Sequence, residues 1–162
     1  MRIKIYDKIE FLKLLMKKEN YLFFEKLIQS DTKYKFETFL MNLIKKFNKK
    51  DLIYCGYEEE YKINNIINFG YIVINENIAY ISTIRTRLDK RNQGKCKQFM
   101  KLICDDLQKR KYKKIELEVE IGNIGAIKCY EAIGFTKNKK PVVYQYGDKK
   151  EEYYKMFINK VL

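Results

Sequence analysis

One continuous stretch decides how the chain is organised: a polar loop that leads from an apolar run into an amphipathic helix. It reads Arg91-Asn92-Gln93-Gly94-Lys95-Cys96-Lys97-Gln98-Phe99-Met100-Lys101-Leu102-Ile103-Cys104-Asp105-Asp106-Leu107. β-branched and apolar residues run from Ile78 to Ile84 before the loop, and apolar side chains recur at helical spacing after it. The stretch therefore predicts a strand, a tight loop and a helix.

The first part of this stretch, which we call the 91–97 segment, has the features of an anion-binding site. The first backbone N–H groups of a helix lack intrahelical partners, and the helix dipole adds roughly half a positive charge there. Gly94 leaves room for a phosphate to approach the backbone, and Arg91, Lys95 and Lys97 add formal positive charge. We expect a phosphate-bearing ligand at this position.

The length and the charge of the chain limit the functions that such a loop can have. With 162 residues the chain is predicted to form one domain, residues 1–162, with a single core. Lysine and arginine number 34 against 21 acidic residues, which gives a formal net charge of +13. This excess is compatible with an anionic ligand, a nucleic acid or a membrane surface. The abundance of Asn, Ile, Tyr and Phe offers a second explanation, a preference for AT-rich codons.

The absence of histidine removes several catalytic classes. Without it there is no Ser-His or Cys-His nucleophile pair and no imidazole ligand for zinc, so we expect no metal cofactor. The cysteines form no C-x-x-C pair and are too few to staple a secreted scaffold, which favours a reducing compartment. They are Cys55, Cys96, Cys104 and Cys129.

The N-terminus and the distribution of apolar residues predict a soluble, intracellular and cytoplasmic protein. Arg2 and Lys4 place charge at the start of the chain, where a signal peptide would continue into an apolar run. No run of about twenty apolar residues occurs anywhere in the sequence, so no membrane span is expected.

The remaining pattern predicts an α/β fold with a mixed sheet of about six or seven strands flanked by helices. Asp7, with Glu10 three residues later, predicts the start of a first helix. Two further helices are expected between Tyr21 and Phe47, with a break at Ser30, Asp31 and Thr32, and a last helix is expected from Ile124 to Ile133. Strands are predicted at Arg2–Tyr6, Asp51–Tyr57, Ile66–Ile74, Ile78–Arg87, Lys114–Ile121, Val142–Tyr146 and Tyr153–Val161.

Two motifs together resemble the signatures of the GNAT acetyltransferase superfamily. Arg91-x-x-Gly94-x-Cys96 resembles the R/Q-x-x-G-x-G/A acetyl-CoA loop of that family. The second motif resembles the family's helix ending in Y-x-x-x-G-F and reads Asn123-x-x-Ala126-x-x-x-Tyr130-x-x-x-Gly134-Phe135. The resemblance covers roughly residues 78–135 and implies the GNAT fold.

The resemblance also implies transfer of acetyl from acetyl-CoA, as a co-substrate, to an amine. The backbone around Thr86 and Arg87 would hold the pantetheine arm and polarise the thioester carbonyl. The cofactor would meet Asn123 and Ala126 near its reactive end, with Tyr130 beside the sulfur. The pyrophosphate would be wrapped by Arg91, Asn92, Gly94, Lys95, Cys96 and Lys97. Cys96 departs from the family's Gly or Ala, and phosphate binding survives this change unless the position needs a positive φ.

Attack of an amine on a thioester needs a base for the amine, a donor for the oxyanion and a proton for the leaving thiolate. Tyr130 is the predicted acid, because a phenol with a pKa near 10 is close enough to a thiol for proton transfer. Glu118 is the predicted base, since the L-E-V triplet at this spacing resembles acetyltransferases of protein N-termini. Glu116, Glu120 or the acidic turn Glu58-Glu59-Glu60, acting through water, remain alternatives.

Cys129 adjoins Tyr130 and raises the alternative of an acyl-cysteine intermediate. Neighbouring residues on a helix point about 100 degrees apart, so we expect Cys129 to pack inward and the transfer to be direct.

The acceptor is the least determined part of the prediction. The L-E-V triplet and the tyrosines near the last hairpin, Tyr144, Tyr146, Tyr153 and Tyr154, favour a protein N-terminus or a lysine. A small amine such as an amino sugar, a polyamine or an antibiotic is the alternative. A non-catalytic CoA-binding module and a nucleic-acid-binding protein are rival interpretations, although the lysines are spread along the chain. We expect no membrane partner, and the resemblance leaves a homodimer open.

Overall fold

The computed structural model describes residues 1–29, 35–45 and 48–159. These residues form five α-helices and eight β-strands, with single 3₁₀ turns at Ile63–Asn65 and Leu88–Lys90. In chain order the elements are β1 (Arg2–Tyr6), α1 (Lys8–Leu15), α2 (Lys18–Gln29), α3 (Phe36–Lys45), β2 (Leu52–Tyr57), β3 (Ile66–Asn75), β4 (Ile78–Thr86), α4 (Lys95–Lys109), β5 (Lys114–Glu120), α5 (Ile124–Glu131), β6 (Thr136–Lys137), β7 (Val142–Tyr146) and β8 (Lys149–Asn159).

All eight strands belong to one mixed sheet. Its order is β1-β2-β3-β4-β5-β8-β6, and β7 pairs with β8. Every neighbouring pair of described strands is antiparallel except β4 and β5, which run parallel. The predicted α/β fold with a mixed sheet is confirmed. The sequence prediction counted seven strands because β6 has only two residues and no pattern of its own.

Helices cover both faces of the sheet and enclose two apolar clusters. On one face α4 and α5 pack against β3, β4 and β5, with Phe99 and Ile103 of α4 fully buried. On the other face α1, α2 and α3 pack against β2 and β3 through a group of aromatic rings. The centroids of Phe11, Phe24 and Phe39 lie 5.6 to 5.9 Å from that of Phe69 on β3. The aromatic stripe of the first helices is therefore core packing.

The helix boundaries follow local signals. Asp7 caps α1 as predicted, because its Oδ1 accepts from Glu10 N at 2.7 Å while Glu10 Oε2 accepts from Asp7 N at 3.0 Å. The prediction placed the end of α5 at Ile133, but the helix ends at Glu131. Phe135 N donates to Tyr130 O at 3.1 Å, and Gly134 has a φ of 101°, so the chain closes the helix there.

The last strand begins earlier than predicted. β8 starts at Lys149, directly after the turn at Gly147, so β7 and β8 form a tight hairpin. Some predictions fall on Ser30, Asp31, Thr32, Phe47, Val161 and the side chain of Tyr146, and these lie outside the described residues.

A gap between β4 and β5 positions the functional site. The two strands pair only where Ile78–Ile81 lie beside Lys114–Leu117. Beyond this point β4 continues to pair with β3, and β5 continues to pair with β8. Ser82 is an extra residue in β4, since Ile81 and Thr83 oppose the consecutive β3 residues Ile72 and Tyr71. Such a bulge bends a strand and increases its twist, and the sheet opens at this position.

A buried ion pair joins α1 to the start of β2. Lys8 Nζ lies 3.1 Å from Asp51 Oδ2, and both side chains are 1% exposed. The Tyr71 hydroxyl donates to Asp51 Oδ2 at 2.7 Å, and Ile74 N donates to Oδ1 at 2.9 Å. Lys8 Nζ also donates to Leu43 O at 3.1 Å. The pair is thus surrounded by hydrogen bonds that compensate for its burial.

Removing this carboxylate is expected to destabilise the fold strongly. Asp51→Ala leaves the Lys8 ammonium buried without its counterion, so we expect a loss of about 3–5 kcal/mol in the free energy of unfolding. Urea unfolding followed by circular dichroism measures it. The control is Glu60→Ala, which breaks the solvent-exposed pair with Lys62 and should cost at most about 1 kcal/mol. Equal losses for the two variants would contradict this account of the pair.

Candidate active site

A cleft of about 750 Å³ occupies the gap between β4 and β5. The second half of β4, the end of β5, the 91–97 segment and one side of α5 line it. Leu117 and Val119 point toward the core cluster beneath α4 and α5. Glu118 alternates with them and points to the opposite face of the sheet. Groups from both faces of the sheet therefore meet in one cleft.

The 91–97 segment turns the N-terminus of α4 toward this cleft. Asn92 and Gly94 both adopt left-handed backbone conformations, with φ of 57° and 69°. The first intrahelical bond runs from Gln98 N to Gly94 O, and no side chain caps the helix. The three preceding N–H groups, of Lys95, Cys96 and Lys97, are the donors that a helix leaves for an anion.

The substitution of cysteine in the first motif is compatible with this geometry. Cys96 lies inside α4, and positive φ values occur at Asn92 and Gly94 instead. Cys96 therefore keeps its N–H in the first turn of the helix without the backbone strain that a side chain at positive φ would bring.

Glu58 of the acidic turn holds this segment in place. Its carboxylate accepts from Lys90 Nζ at 2.5 Å, and Lys95 Nζ lies 3.4 Å away. The hydrogen bond from Lys90 holds the pKa of Glu58 below its ordinary value. Arg91 Nε donates to Thr86 O at 3.1 Å and so links the segment to the end of β4. Glu58 thus pairs with two lysines of the site, and it does not itself line the cleft.

Arg87 is the one predicted cofactor-binding residue that does not line the cleft. Its guanidinium bonds to Asp89 at 2.7 Å and to Asn64 O at 2.9 Å, on the far side of the loop. Its backbone N–H donates to Ile67 O at 2.8 Å, so this group is already used within the sheet. The other predicted site residues all line the cleft: Thr86, Arg91, Asn92, Gly94, Lys95, Cys96, Lys97, Glu118, Asn123, Ala126 and Tyr130.

Helix α5 contributes Tyr130 from the core side of the cleft. Asn123 caps the helix, because its Oδ1 accepts from Ala126 N at 3.2 Å. The Tyr130 ring is 8% exposed, and burial raises the pKa of its phenol above the ordinary value. The ordinary pKa of a tyrosine phenol is near 10, and the pKa of Tyr130 lies above that value. The phenol is therefore protonated at neutral pH and is a hydrogen-bond donor in the cleft.

Glu118 contributes a carboxylate from the other side of β5. The Tyr144 hydroxyl, on β7, donates to it at 2.9 Å from Oε2 and 3.0 Å from Oε1. Tyr80 lies nearby on β4, and burial together with the charge of Glu118 raises the pKa of Tyr80 to about 12. These contacts hold the carboxylate at the mouth of the gap.

The neighbouring glutamates differ in their surroundings. Glu116 lies 2.8 Å from Lys114 Nζ and 3.5 Å from Lys155 Nζ. Burial raises the pKa of Glu116, but the two lysines outweigh burial and hold that pKa below its ordinary value. Glu116 does not line the cleft, whereas Glu120 does and is exposed. Glu118 is thus the only one of the three that is both in the cleft and held by a neighbouring side chain among the described residues.

Sequence reasoning missed Arg85 and placed Cys129 only in the core. Arg85 lines it, and its Nε donates to Ile28 O at the end of α2 at 3.2 Å. The only available signal for Arg85 was a charged residue in an otherwise apolar strand. Cys129 was expected to pack inward; it does contact the core cluster, but it also lines the cleft. Its Sγ lies 3.3 Å from that of Cys96.

A mixed sheet that opens between two parallel strands, with a helix N-terminus directed into the opening, is an α/β architecture with one large cleft. A model of the acetyltransferase (GNAT) family matches residues 16–135. The chain therefore belongs to the GNAT acetyltransferase family and is an acyltransferase enzyme. No functionally curated protein matches the chain in sequence at a significant level.

Solved structures with similar folds include three N-acetyltransferases or their complexes. The ribosomal-protein-S18-alanine N-acetyltransferase from Escherichia coli is 18% identical, with a TM-score of 0.70 over 98% of this chain and 94% of that one. A NatC complex bound to Gag peptide and CoA is 20% identical, with a TM-score of 0.67 over 99% of this chain and 100% of that one. A spermidine N-acetyltransferase chimera from Vibrio cholerae and hSSAT is 13% identical, with a TM-score of 0.72 over 98% of this chain and 96% of that one. The TM-scores and the coverage show that these proteins share the fold of this chain.

The described residues also bear on metals and membranes. They contain no group of three or more cysteine and carboxylate side chains arranged to hold a metal ion. No helix in the described ranges has the length and apolar character that crossing a membrane requires.

Proposed function

We propose that the protein transfers the acetyl group of acetyl-CoA to a primary amine, by direct attack within a ternary complex, and that the acceptor is a protein N-terminus or a lysine. The observation that carries this proposal is the convergence of Glu118, Tyr130 and the N-terminus of α4 on one cleft between β4 and β5. A base, an acid and an anion site are the groups that this reaction needs.

Acetyl-CoA would lie along the cleft with its pyrophosphate at the N-terminus of α4. The backbone N–H groups of Lys95, Cys96 and Lys97 and the side chain of Arg91 supply the donors and the charge. The pantetheine arm would follow β4 as far as Thr86, because no described strand pairs with this edge of β4 beyond Ile81. Arg87 has no part in this arrangement.

The reaction would then use the two sides of β5. The Glu118 carboxylate takes one proton from the protonated amine, and the neutral nitrogen attacks the thioester carbonyl carbon. This nitrogen loses its second proton to water as the amide forms. Backbone N–H groups on the unpaired edge of β4 stabilise the oxyanion. When the carbon–sulfur bond breaks, the Tyr130 hydroxyl donates to the departing thiolate. Its raised pKa keeps it protonated for this role and favours hydrogen bonding to the thiolate over complete ionisation.

The wall of the cleft beside Glu118 supports a peptide acceptor. Tyr153 lines the cleft, and Tyr144, which contacts Glu118, lies next to it on the β7–β8 hairpin with the ring centroids 5.6 Å apart. Tyrosine offers an apolar ring and a hydroxyl, which suit a peptide backbone and its side chains. Two of the similar structures, the S18-alanine enzyme and the NatC complex, concern protein substrates.

A small polyamine is the second candidate, and one observation favours it. Glu118 and Glu120 lie on the same face of β5 and both line the cleft, so two carboxylates face the acceptor side. A polycation would be bound more strongly through electrostatic attraction to both carboxylates. A spermidine N-acetyltransferase chimera shares the fold.

A panel of acceptors tests the proposal. Release of free CoA thiol is followed with a peptide bearing a free N-terminus, an N-terminally blocked peptide with one lysine, spermidine and an amino sugar. Turnover with either peptide supports the proposed acceptor, and turnover with spermidine alone supports the second candidate. Binding of acetyl-CoA without turnover on any amine would favour a non-catalytic CoA-binding module.

Gly94→Val is expected to weaken acetyl-CoA binding at least about tenfold, since a β-branched residue at positive φ forces the backbone to change. The φ of Gly94 is 69°, and an added Cβ would meet no atom within 4 Å, so the conformation and not the space demands glycine. Isothermal titration with acetyl-CoA measures the effect. Gly122→Val is the matched control, because Gly122 has open space and no positive φ. An unchanged dissociation constant for Gly94→Val would place the cofactor elsewhere.

A further inference from the structure

Two thiols meet between the N-terminus of α4 and α5. Cys96 lies in the first turn of α4, and Cys129 lies one residue before Tyr130 on α5. Their Sγ atoms are 3.3 Å apart, within hydrogen-bonding distance for two thiols. A disulfide needs about 2.05 Å between the two sulfurs, so a movement of little more than 1 Å would join them.

These two thiols are also the accessible ones. Cys96 and Cys129 are half-buried and both line the cleft, so a small oxidant that enters the cleft reaches them. Cys55 is 0% exposed beneath α1–α3, and Cys104 is 5% exposed in the core on the other face. Neither of these lines the cleft. Oxidation is therefore directed to the Cys96–Cys129 pair.

We propose that Cys96 and Cys129 form a redox-modification site, at which hydrogen peroxide converts the two thiols into a disulfide that ties α4 to α5 and weakens acetyl-CoA binding. One thiolate attacks a peroxide oxygen, the O–O bond breaks, and the departing hydroxide is protonated to water. The second sulfur then displaces the hydroxyl from the sulfenic acid as a second water. The two sulfurs lose two electrons and two protons in total, and the peroxide accepts them.

The two thiols perturb each other's ionisation. Their interaction, and to a smaller extent the charge of Lys97, lowers the pKa of Cys129. The same interaction and burial raise the pKa of Cys96. One thiol of the pair therefore ionises more readily than the other; its thiolate attacks the peroxide, and the second sulfur resolves the sulfenic acid.

The disulfide would act on the cofactor through the first turn of α4. Drawing Cys96 toward Cys129 displaces the N–H groups of Lys95 and Lys97, which we place at the pyrophosphate. Reciprocity requires that bound acetyl-CoA in turn disfavours the disulfide. This effect on the cofactor rests on the proposed function, whereas formation of the disulfide does not.

Peroxide treatment followed by intact-mass analysis tests the site. We expect a product two hydrogen atoms lighter, in which two of the four thiols remain titratable and a non-reduced digest contains one peptide joining Cys96 to Cys129. Cys129→Ser should form no such crosslink, and Cys104→Ser should form it like the wild type. Oxidation to sulfinic acid without the crosslink, or a crosslink through other cysteines, would overturn the proposal.

Acetyl-CoA titrations of the same samples test the consequence. The dissociation constant is expected to rise at least about fivefold on oxidation, which is about 1 kcal/mol, and to recover with dithiothreitol. In Cys129→Ser it should not respond to peroxide. A disulfide that leaves the wild-type affinity unchanged would overturn the effect on the cofactor. If the reduced protein bound no acetyl-CoA, the proposed function would be wrong. The intact-mass analysis would still test the Cys96–Cys129 crosslink independently.

Discussion

Replacing Glu118 with glutamine is expected to lower kcat by at least about a hundredfold, the lower bound for a positioned general base. The glutamine side chain keeps the size and the contact with the Tyr144 hydroxyl but cannot accept the proton of the amine. Acetyl-CoA binding should be retained, because Glu118 lies across β5 from the 91–97 segment and Tyr130. Steady-state rates of thiol release and titrations with acetyl-CoA separate the two effects.

Glu116→Gln is the matched control on the same strand face. Glu116 is paired with Lys114 and Lys155 and does not line the cleft, so its loss should change kcat only slightly. If Glu116→Gln were as damaging as Glu118→Gln, the base would have been assigned to the wrong carboxylate. A large loss in Glu120→Gln alone would point to proton removal through water from that exposed residue.

Tyr130→Phe is expected to lower kcat by about a hundredfold, the lower end of what removing one positioned hydrogen-bond donor to developing charge costs. The phenyl ring preserves the packing against Phe135, whose centroid is 5.9 Å away, while the donor to the leaving thiolate is lost. Burial raises the pKa of this phenol, so it stays protonated at and somewhat above pH 10, its ordinary midpoint. The wild-type rate should therefore show no alkaline loss from Tyr130 below that pH.

The rate measurements need a control in which another tyrosine is replaced by phenylalanine. Tyr112→Phe is suitable, because Tyr112 is partly buried against the same core cluster and does not line the cleft. It should leave kcat unchanged. Full activity in Tyr130→Phe would mean that the thiolate leaves without help from this phenol.

Local signals in the sequence were enough for most of the fold. The capping pair Asp7 and Glu10, the strict alternation along Lys114–Glu120 and the turn at Gly147 each act over a few residues, and the structure has each of them. The missed boundaries have equally local causes. β6 has two residues, too few to show a period, and α5 closes three residues before its glycine.

The candidate site was predictable only as far as its motifs reached. The N-terminus of α4 and the position of Tyr130 follow from short spacings. The opening of the sheet does not follow from such spacings, because it depends on the extra residue Ser82 in β4 and on the pairing of β5 with β8. Tyr144 reaches Glu118 across 26 residues, a contact that no local pattern encodes. The same holds for the two thiols, which are 33 residues apart in the chain.

The most direct test of the account is the reaction itself, with one purified enzyme and its Glu118→Gln variant. Acetyl-CoA is mixed with a peptide bearing a free N-terminus and with its lysine-containing, N-terminally blocked counterpart, and free thiol and acetylated peptide are measured together. The account predicts one thiol released for each acetyl group gained by a peptide amine, and loss of both signals in the variant. Tight binding of acetyl-CoA with no acetylated peptide, or equal turnover in Glu118→Gln, would contradict it.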